Sequence, residues 1–112
     1  MKTVTTERLQ TLIEENKDFL LVNTLDPEDF AKTRIQGAIN IPVSQDDFVD
    51  NVVRAAGSKQ KLIIVYCASR QCDSSTKAAK RLDEAGVNVA DFEGGAAAWQ
   101  EAGQPLVNVE VP

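Results

Sequence analysis

Histidine is absent from this chain of 112 residues, and cysteine occurs only twice. Without histidine no mechanism can use an imidazole base, and metal sites of the Cys/His kind lose half of their usual ligands. Two cysteines in a chain of this length do not make the disulfide framework of a small secreted domain. We therefore expect a reducing, cytoplasmic environment, and we expect neither a metal nor another cofactor.

The chain also lacks long apolar runs and an excess of positive charge. No run approaches the roughly 18 apolar residues of a membrane span, and the segment MKTVTTERLQ lacks the apolar core of a signal peptide. The 17 acidic residues outnumber the 12 basic ones, which gives a net charge of −5. These features predict that neither nucleic acid nor an anionic membrane surface is a partner.

The remaining composition is that of an ordinary globular domain, with 43% hydrophobic and 26% charged residues. A chain of this length is enough for one domain with its own core, so we predict a single domain over residues 1–112. Short apolar runs predict buried strands at FLLVN (19–23), around residues 38–41, at KLIIVY (61–66) and at VNVADF (87–92).

Segments with helical features separate these predicted strands. They are TTERLQTLIEEN capped by Thr5 or Thr6, a helix after Asp26 and Pro27, a helix over residues 45–56 capped by Ser44, SSTKAAKRLDEAG capped by Asp73 or Ser74, and GGAAAWQEAG after a double-glycine turn. Strands that alternate with helices predict an α/β fold, in which helices cover both faces of a parallel sheet of about five strands.

The two cysteines share one loop between the strongest strand and the strongest helix. Cys67 ends the 61–66 strand, and ligands of open α/β sheets bind at the carboxyl ends of strands. The following helix N-terminus and Arg70 are predicted to lower the pKa of the Cys67 thiol. The loop amides are predicted to cradle a sulfur anion or an oxyanion, and this loop consists of Ala68, Ser69, Arg70, Gln71, Cys72 and Asp73.

Spacing alone leaves simpler roles open for both cysteines. Cys67 is equally well explained as a buried packing residue at the end of a strand, because buried cysteines are common and mostly inert. Cys72 is explained as a small residue that fills the loop.

The segment VYCASRQCDSSTKAAKRLDEAGVNVADFEGGAAAWQEAGQPL resembles the active-site half of the rhodanese-like domains, the single-domain sulfurtransferases. Within it, a strand runs into a cysteine, a loop and a helix. EGGAAAW is similar to the family's glycine-turn helix with its tryptophan, and AGQPL to its closing segment. LVNTLDPEDFAKTRIQGAINIP is similar to the family's strand, Pro-x-Glu-Phe helix and Gly-Ala-x-Asn-Ile-Pro strand. The resemblance covers about residues 3–108.

The resemblance implies a rhodanese-like fold and sulfur transfer, with Cys67 in the position of the family's nucleophile. Its thiolate would attack a sulfane sulfur of thiosulfate or a persulfide and become a persulfide itself, which a thiol, cyanide or protein acceptor would then discharge. Loop amides would hold the charge of the persulfide, as an oxyanion hole does. We expect the protein to act as a monomer.

Two segments depart from the family's pattern. Asn23-Thr24-Leu25 stands where the family usually has Asp-x-Arg, and residues 33–37 read TRIQG where it often has Gly-His-Ile-Pro-Gly. A charged pair near the loop is therefore missing. We expect weaker electrostatic support for an anionic donor and a poor reaction with thiosulfate.

Three other functions compete with sulfur transfer. Cysteine phosphatases and arsenate reductases need an arginine six residues after the cysteine, but residue 73 is Asp, which repels phosphate, so we reject this chemistry. A redox function would have Cys72 resolve a persulfide or sulfenic acid on Cys67, provided that the Cα atoms come within about 7 Å. The third alternative is a non-catalytic binding module.

Overall fold

The computed structural model describes residues 2–107, which form one sheet of five parallel strands in the order β1-β5-β4-β2-β3. The strands are β1 (Lys2–Thr3), β2 (Phe19–Asn23), β3 (Ile39–Asn40), β4 (Leu62–Tyr66) and β5 (Val89–Phe92). The helices between and after them are α1 (Thr6–Glu14), α2 (Pro27–Thr33), α3 (Phe48–Ala56), α4 (Ser74–Glu84) and α5 (Gly95–Glu101). The predicted α/β class and parallel sheet are confirmed. Residues 1 and 108–112 of the predicted domain lie outside the described residues.

Side chains of the central strand β4 alternate between two hydrophobic clusters, one on each face of the sheet. Ile63 and Val65 pack with residues of α3 and α4, whereas Ile64 and Tyr66 pack with residues of α1 and α5. A parallel strand covered on both faces has no polar face, which explains the uninterrupted apolar run of this segment. Helices on both faces of the sheet were predicted and are present.

The strand order places a crevice beside the carboxyl end of β4. The connection that follows β2 leads to its outer neighbour β3, whereas the connection that follows β4 leads in the opposite direction to β5. Consistent with this divergence, α2 contributes Phe30 to one face, and α4 contributes Leu82 to the other. Ligands of open α/β sheets bind where neighbouring connections diverge in this way, here at the ends of β2 and β4.

Three local predictions differ from the structure. The two-residue strand β1, which pairs with β5 at the edge of the sheet, was not predicted. Helix α3 begins at Phe48 rather than residue 45, because residues 42–48 form turns in which the Phe48 N–H donates to the Gln45 carbonyl. The predicted cap by Ser44 is therefore wrong, and its hydroxyl contacts Asp26 instead, at 3.2 Å.

The other helix starts agree more closely with the sequence. Thr5 caps α1 by accepting the Arg8 N–H at 3.1 Å. Asp26 and Asp73 occupy the N-cap positions of α2 and α4, but their side chains make no capping hydrogen bond. None of the helices within residues 2–107 has the length and apolar character needed to cross a membrane.

Candidate active site

Cys67 directly follows β4, and its side chain is almost completely covered. The residue is 1% exposed, and its Sγ donates to the carbonyl oxygen of Cys72 at 3.4 Å and to Ser75 Oγ at 3.6 Å. Ser75 belongs to the first turn of α4. The structure therefore holds the thiol between the active-site loop (residues 68–73) and the start of the following helix.

The start of α5 fixes the backbone of Cys67 from the opposite side. The Ala96 N–H donates to the Cys67 carbonyl at 3.0 Å, and the Ala97 N–H donates to the Ala68 carbonyl at 2.9 Å. Gly95 has φ +63°, and a Cβ at this position would overlap the Cys67 carbonyl oxygen. Glycine is needed here both for the backbone conformation and for the close approach of α5 to the loop.

Cys72 lies in the same loop but is only half-buried, and both cysteines are free thiols. Its Sγ is 3.3 Å from Ser74 Oγ, which in turn is 3.0 Å from Thr24 Oγ1 at the end of β2. The Thr24 hydroxyl also reaches the Tyr66 carbonyl at 3.3 Å. A chain of hydroxyls thus connects the ends of β2 and β4 with the sulfur of Cys72.

The pKa values of the two thiols are shifted in opposite directions. Burial raises the pKa of Cys67, the Cys72 thiol raises it further, and hydrogen bonds from Ser74 and Ser75 offset only part of the increase. Burial also raises the pKa of Cys72, but hydrogen bonds from Cys67, Ser74 and the Ala68 N–H lower it more. The predicted lowering of the Cys67 pKa is therefore wrong, because burial desolvates the thiol.

The charged residues of the loop point to solvent. Arg70 is exposed and lines a surface cavity of about 360 Å³ together with Glu93 and residues 3–7. Asp73 is exposed and forms an ion pair with Lys77 at 3.3 Å. Of the predicted site residues, Cys67 is buried, Cys72 is half-buried, and Arg70 and Asp73 are exposed. The side chains of the loop therefore do not surround the Cys67 sulfur. The amide that acts on the Cys67 sulfur is that of Ser75, outside the predicted 68–73 segment.

Asn23 has a structural role in the place where the family pattern has an aspartate. Its amide nitrogen donates to Thr33 Oγ1, and its amide oxygen accepts the Leu25 N–H, both at 3.0 Å. Asn40 donates to the backbone carbonyls of Asn23 and Leu25 at 3.2 and 2.7 Å. These bonds satisfy the buried polar groups at the end of β2 without a charge.

Two polar residues near the cysteines were missed by the sequence analysis. Thr24 is 2% exposed and joins the hydroxyl chain described above, and Asp91 is 1% exposed at the end of β5, beside β4. The available signal was their position, since each lies at or just beyond the carboxyl end of an apolar strand.

Comparison with known proteins agrees with this geometry. A family model described as a rhodanese-like domain matches residues 5–102. The chain belongs to the rhodanese-like domain family. Among curated proteins, the HTH-type transcriptional regulator Rv0324 of Mycobacterium tuberculosis is 28% identical over 92 residues. That alignment includes 82% of this chain but only 39% of the regulator.

Solved rhodanese-like structures superimpose on most of the chain. A rhodanese-like domain protein from Staphylococcus aureus is 28% identical with a TM-score of 0.75, and the match covers 96% of this chain and 100% of that protein. The thiosulfate sulfurtransferase from Pseudomonas aeruginosa has a TM-score of 0.87 at 22% identity, and the match covers 99% of this chain and 21% of that protein. At this identity the second similarity shows the shared fold alone.

Proposed function

We propose that this rhodanese-like chain carries a sulfane sulfur as a persulfide on Cys67 and passes it to a thiol, cyanide or protein acceptor. The observation that supports this most strongly is the placement of Cys67 at the end of β4, where the Ser75 N–H and the hydroxyls of Ser74 and Ser75 act on its sulfur. Toward a sulfur anion each of these groups would act as a donor, and hydrogen bonds to a charged acceptor are stronger than those to a neutral one.

The buried sulfur requires an opening step in this proposal. Cys67 is 1% exposed, so a donor reaches it only when the 68–73 loop moves away and the contact with the Cys72 carbonyl breaks. The exposed guanidinium of Arg70 lies on that loop and would attract an anionic donor to it. A reducing compartment such as the cytoplasm would keep both thiols available for this chemistry.

A second candidate function is a persulfide-resolving dithiol. Its support is the Ser74 hydroxyl, which acts on both sulfurs, together with the lowered pKa of Cys72. A Cys72 thiolate would attack the inner sulfur of the Cys67 persulfide, form a Cys67–Cys72 disulfide and release the outer sulfur as hydrosulfide. The two sulfurs of the new bond are oxidised together, and the departing sulfur is reduced.

The third candidate is a binding module without turnover. Family membership is compatible with it, and one relative is a protein named as a transcriptional regulator, of which the chain matches 39%. The covered sulfur of Cys67 also favours it over rapid turnover.

Turnover assays with a sulfur donor and cyanide separate these candidates. The wild-type chain is expected to form thiocyanate faster with an organic persulfide than with thiosulfate, because the site lacks the family's charged pair. Cys67→Ala must abolish the reaction, and Cys72→Ala must retain it if Cys72 is accessory. Hydrosulfide release that is lost in Cys72→Ala supports the resolving dithiol, and no product with either donor supports the binding module.

A further inference from the structure

Asp91 is a buried carboxyl group on the same face of the sheet as Cys67. In the register of the parallel pair β4–β5, Asp91 lies opposite Val65, and Cys67 follows Val65 by two residues. Because side chains on a strand alternate, Cys67 and Asp91 both point toward the face that α4 covers. Asp91 is 1% exposed, so its charge is shielded from water.

The carboxyl group of Asp91 is only partly satisfied by hydrogen bonds. Its Oδ2 accepts the Thr76 hydroxyl at 2.9 Å, and its Oδ1 has no hydrogen-bond partner within residues 2–107. A buried carboxylate oxygen without a partner is costly and is relieved when the group takes up a proton. Burial raises the pKa of Asp91, with hydrogen bonding by Ser75 and Thr76 offsetting part of the increase.

The charged groups around Asp91 either raise its pKa or are exposed to solvent. Glu93, two residues further along the chain, raises the pKa of Asp91 by charge repulsion. On the elements packed against it, the Asp73–Lys77 ion pair of α4 and Lys2 of β1 are exposed to solvent. Burial and the charge of Glu93 therefore make the Asp91 carboxylate a stronger proton acceptor than an exposed carboxylate, and no cation within residues 2–107 forms an ion pair with it.

Ser75 lies between this carboxyl group and the thiol. It is 1% exposed, and its Oγ accepts the Cys67 thiol at 3.6 Å. The same hydroxyl is close enough to Asp91 to lower its pKa, although no well-aligned bond to the carboxylate is formed in the resting geometry. Because Ser75 makes no hydrogen bond to Oδ1 in the resting geometry, a proton path from the thiol to the carboxyl group requires the Ser75 side chain to move toward Oδ1.

We propose that Asp91 takes up the thiol proton of Cys67 through the hydroxyl of Ser75 when the sulfur attacks a donor. Ser75 touches the reacting sulfur, and Asp91 acts through Ser75 as a positioning residue. This inference rests on the proposed sulfur transfer, and it gives a chain without histidine a carboxylate as proton acceptor.

Protons, bonds and electrons balance in this step. The Cys67 proton moves to Ser75 Oγ while Ser75 gives its own hydroxyl proton to Asp91, so that a thiolate forms beside a neutral carboxyl group. The thiolate attacks the outer sulfur of a persulfide RS–SH; the new S–S bond forms, the S–S bond of the donor breaks, and RS⁻ leaves with the bonding electrons. Asp91 then returns its proton over the same path to RS⁻. The transferred sulfur remains a sulfane sulfur, so no oxidant or reductant is needed.

The test is the rate of Cys67 alkylation by iodoacetamide as a function of pH, followed by intact mass in a Cys72→Ala background. With Asp91 as acceptor, the rate rises in an acidic step as the carboxyl group ionises and again in an alkaline step as the thiol ionises. Asp91→Asn must remove the acidic step and slow alkylation at pH 7 by about tenfold to 100-fold. If Asp91 only repels the thiolate, the same substitution speeds alkylation, and an equal or faster rate overturns the proposal.

Ser75→Ala gives an independent test that keeps the carboxyl group. It must also remove the acidic step, and retention of that step overturns the proposal even if Asp91→Asn does not fold. Asp91→Glu, which keeps the carboxyl group, should restore part of the rate. Asp83→Asn, which removes an exposed carboxylate near the far end of α4, is the matched control and should leave the profile unchanged.

A persulfide pulse separates this inference from the proposed function. Equal sulfur loading rates in wild type and Asp91→Asn overturn the role of Asp91 while leaving sulfur transfer in place. If the wild type takes up no sulfur, the proposed function fails, and the alkylation profile still decides whether Asp91 accepts the proton.

Discussion

Gly95 lies directly against the carbonyl group of Cys67. A Cβ added to Gly95 would overlap that oxygen and would stand 2.9 Å from the Ser69 nitrogen, whereas its neighbour Ala96 donates a hydrogen bond to the same carbonyl at 3.0 Å. The position of Cys67 therefore depends on the absence of a side chain in another helix, 28 residues further along the chain.

Gly95→Ala is expected to destabilise the protein and to displace the active-site loop. Strain at φ +63° and overlap with backbone atoms together predict a loss of about 2–5 kcal/mol in the free energy of unfolding. Gly103→Ala is the matched control, since Gly103 has φ +84° but no atom within 4 Å of an added Cβ. Urea denaturation measures the loss in the free energy of unfolding for each variant. Equal losses would contradict the role given to the Cys67 contact.

Ser74→Ala is expected to make both cysteines less reactive. The Ser74 hydroxyl lies 3.3 Å from the Cys72 sulfur and lowers the pKa of both thiols, so its removal raises both pKa values. One hydrogen bond contributes about 1 kcal/mol, which corresponds to about a fivefold loss of thiolate. Alkylation rates at pH 7 measure the effect, with the exposed Ser44→Ala as control. An unchanged Cys72 rate would contradict the proposed hydroxyl contact.

Asp91→Asn is expected to change how stability depends on pH. The folded protein raises the pKa of Asp91 above its ordinary value of 3.8, so between these two values the folded state binds more protons than the unfolded state. Stability is therefore lost as pH rises through this window, and the loss is complete above the folded pKa.

Denaturation at a series of pH values measures this effect as a difference between variants. The free energy of unfolding of wild type minus that of Asp91→Asn should fall with rising pH. The variant should therefore gain stability relative to wild type near neutrality. The same difference between wild type and Asp83→Asn measures how much an exposed carboxylate contributes to the pH dependence. A difference that rises with pH would mean that Asp91 is stabilised as a carboxylate, contrary to its burial.

Tyr66→Phe is expected to weaken the fold without altering the sulfur chemistry. The buried hydroxyl of Tyr66 accepts the Ile35 N–H at 2.9 Å and donates to the Thr33 carbonyl at 2.9 Å. Its removal leaves two buried backbone groups without a partner, which predicts a loss of about 1–3 kcal/mol. Thermal unfolding should show the loss, whereas sulfur loading per folded molecule should stay the same. A stable variant with impaired loading would assign Tyr66 a different role.

The strands and helices that position Cys67 were predictable because their signals are local. The segment that forms β4 is apolar throughout because both of its faces are buried, and Gly86 ends the α4 segment with φ +79°. The two exposed residues of β1 have no such pattern, since their pairing with β5 is a tertiary contact.

The chemistry around Cys67 was less predictable, because it arises from contacts between distant segments. Ser75 and Asp91 are 16 residues apart in sequence, and the parallel crossover brings them close enough for Ser75 to act on the carboxyl group. Desolvation of Cys67 depends on how closely the loop covers it, which the spacing of the two cysteines does not reveal. The predicted acidic thiol at position 67 was wrong for this reason, whereas the family is shown and the roles of the individual site residues stay predictions.

Intact mass measurement after a short pulse of an organic persulfide tests the central claim most directly, with wild type, Cys67→Ala and Cys72→Ala side by side. If Cys67 carries the sulfur, one added mass of about 32 Da, that of a sulfur atom, is expected in wild type and Cys72→Ala and none in Cys67→Ala. Sulfur that remains in Cys67→Ala but disappears in Cys72→Ala would make the more acidic thiol the carrier, and it would contradict the assignment of Cys67 as the nucleophile.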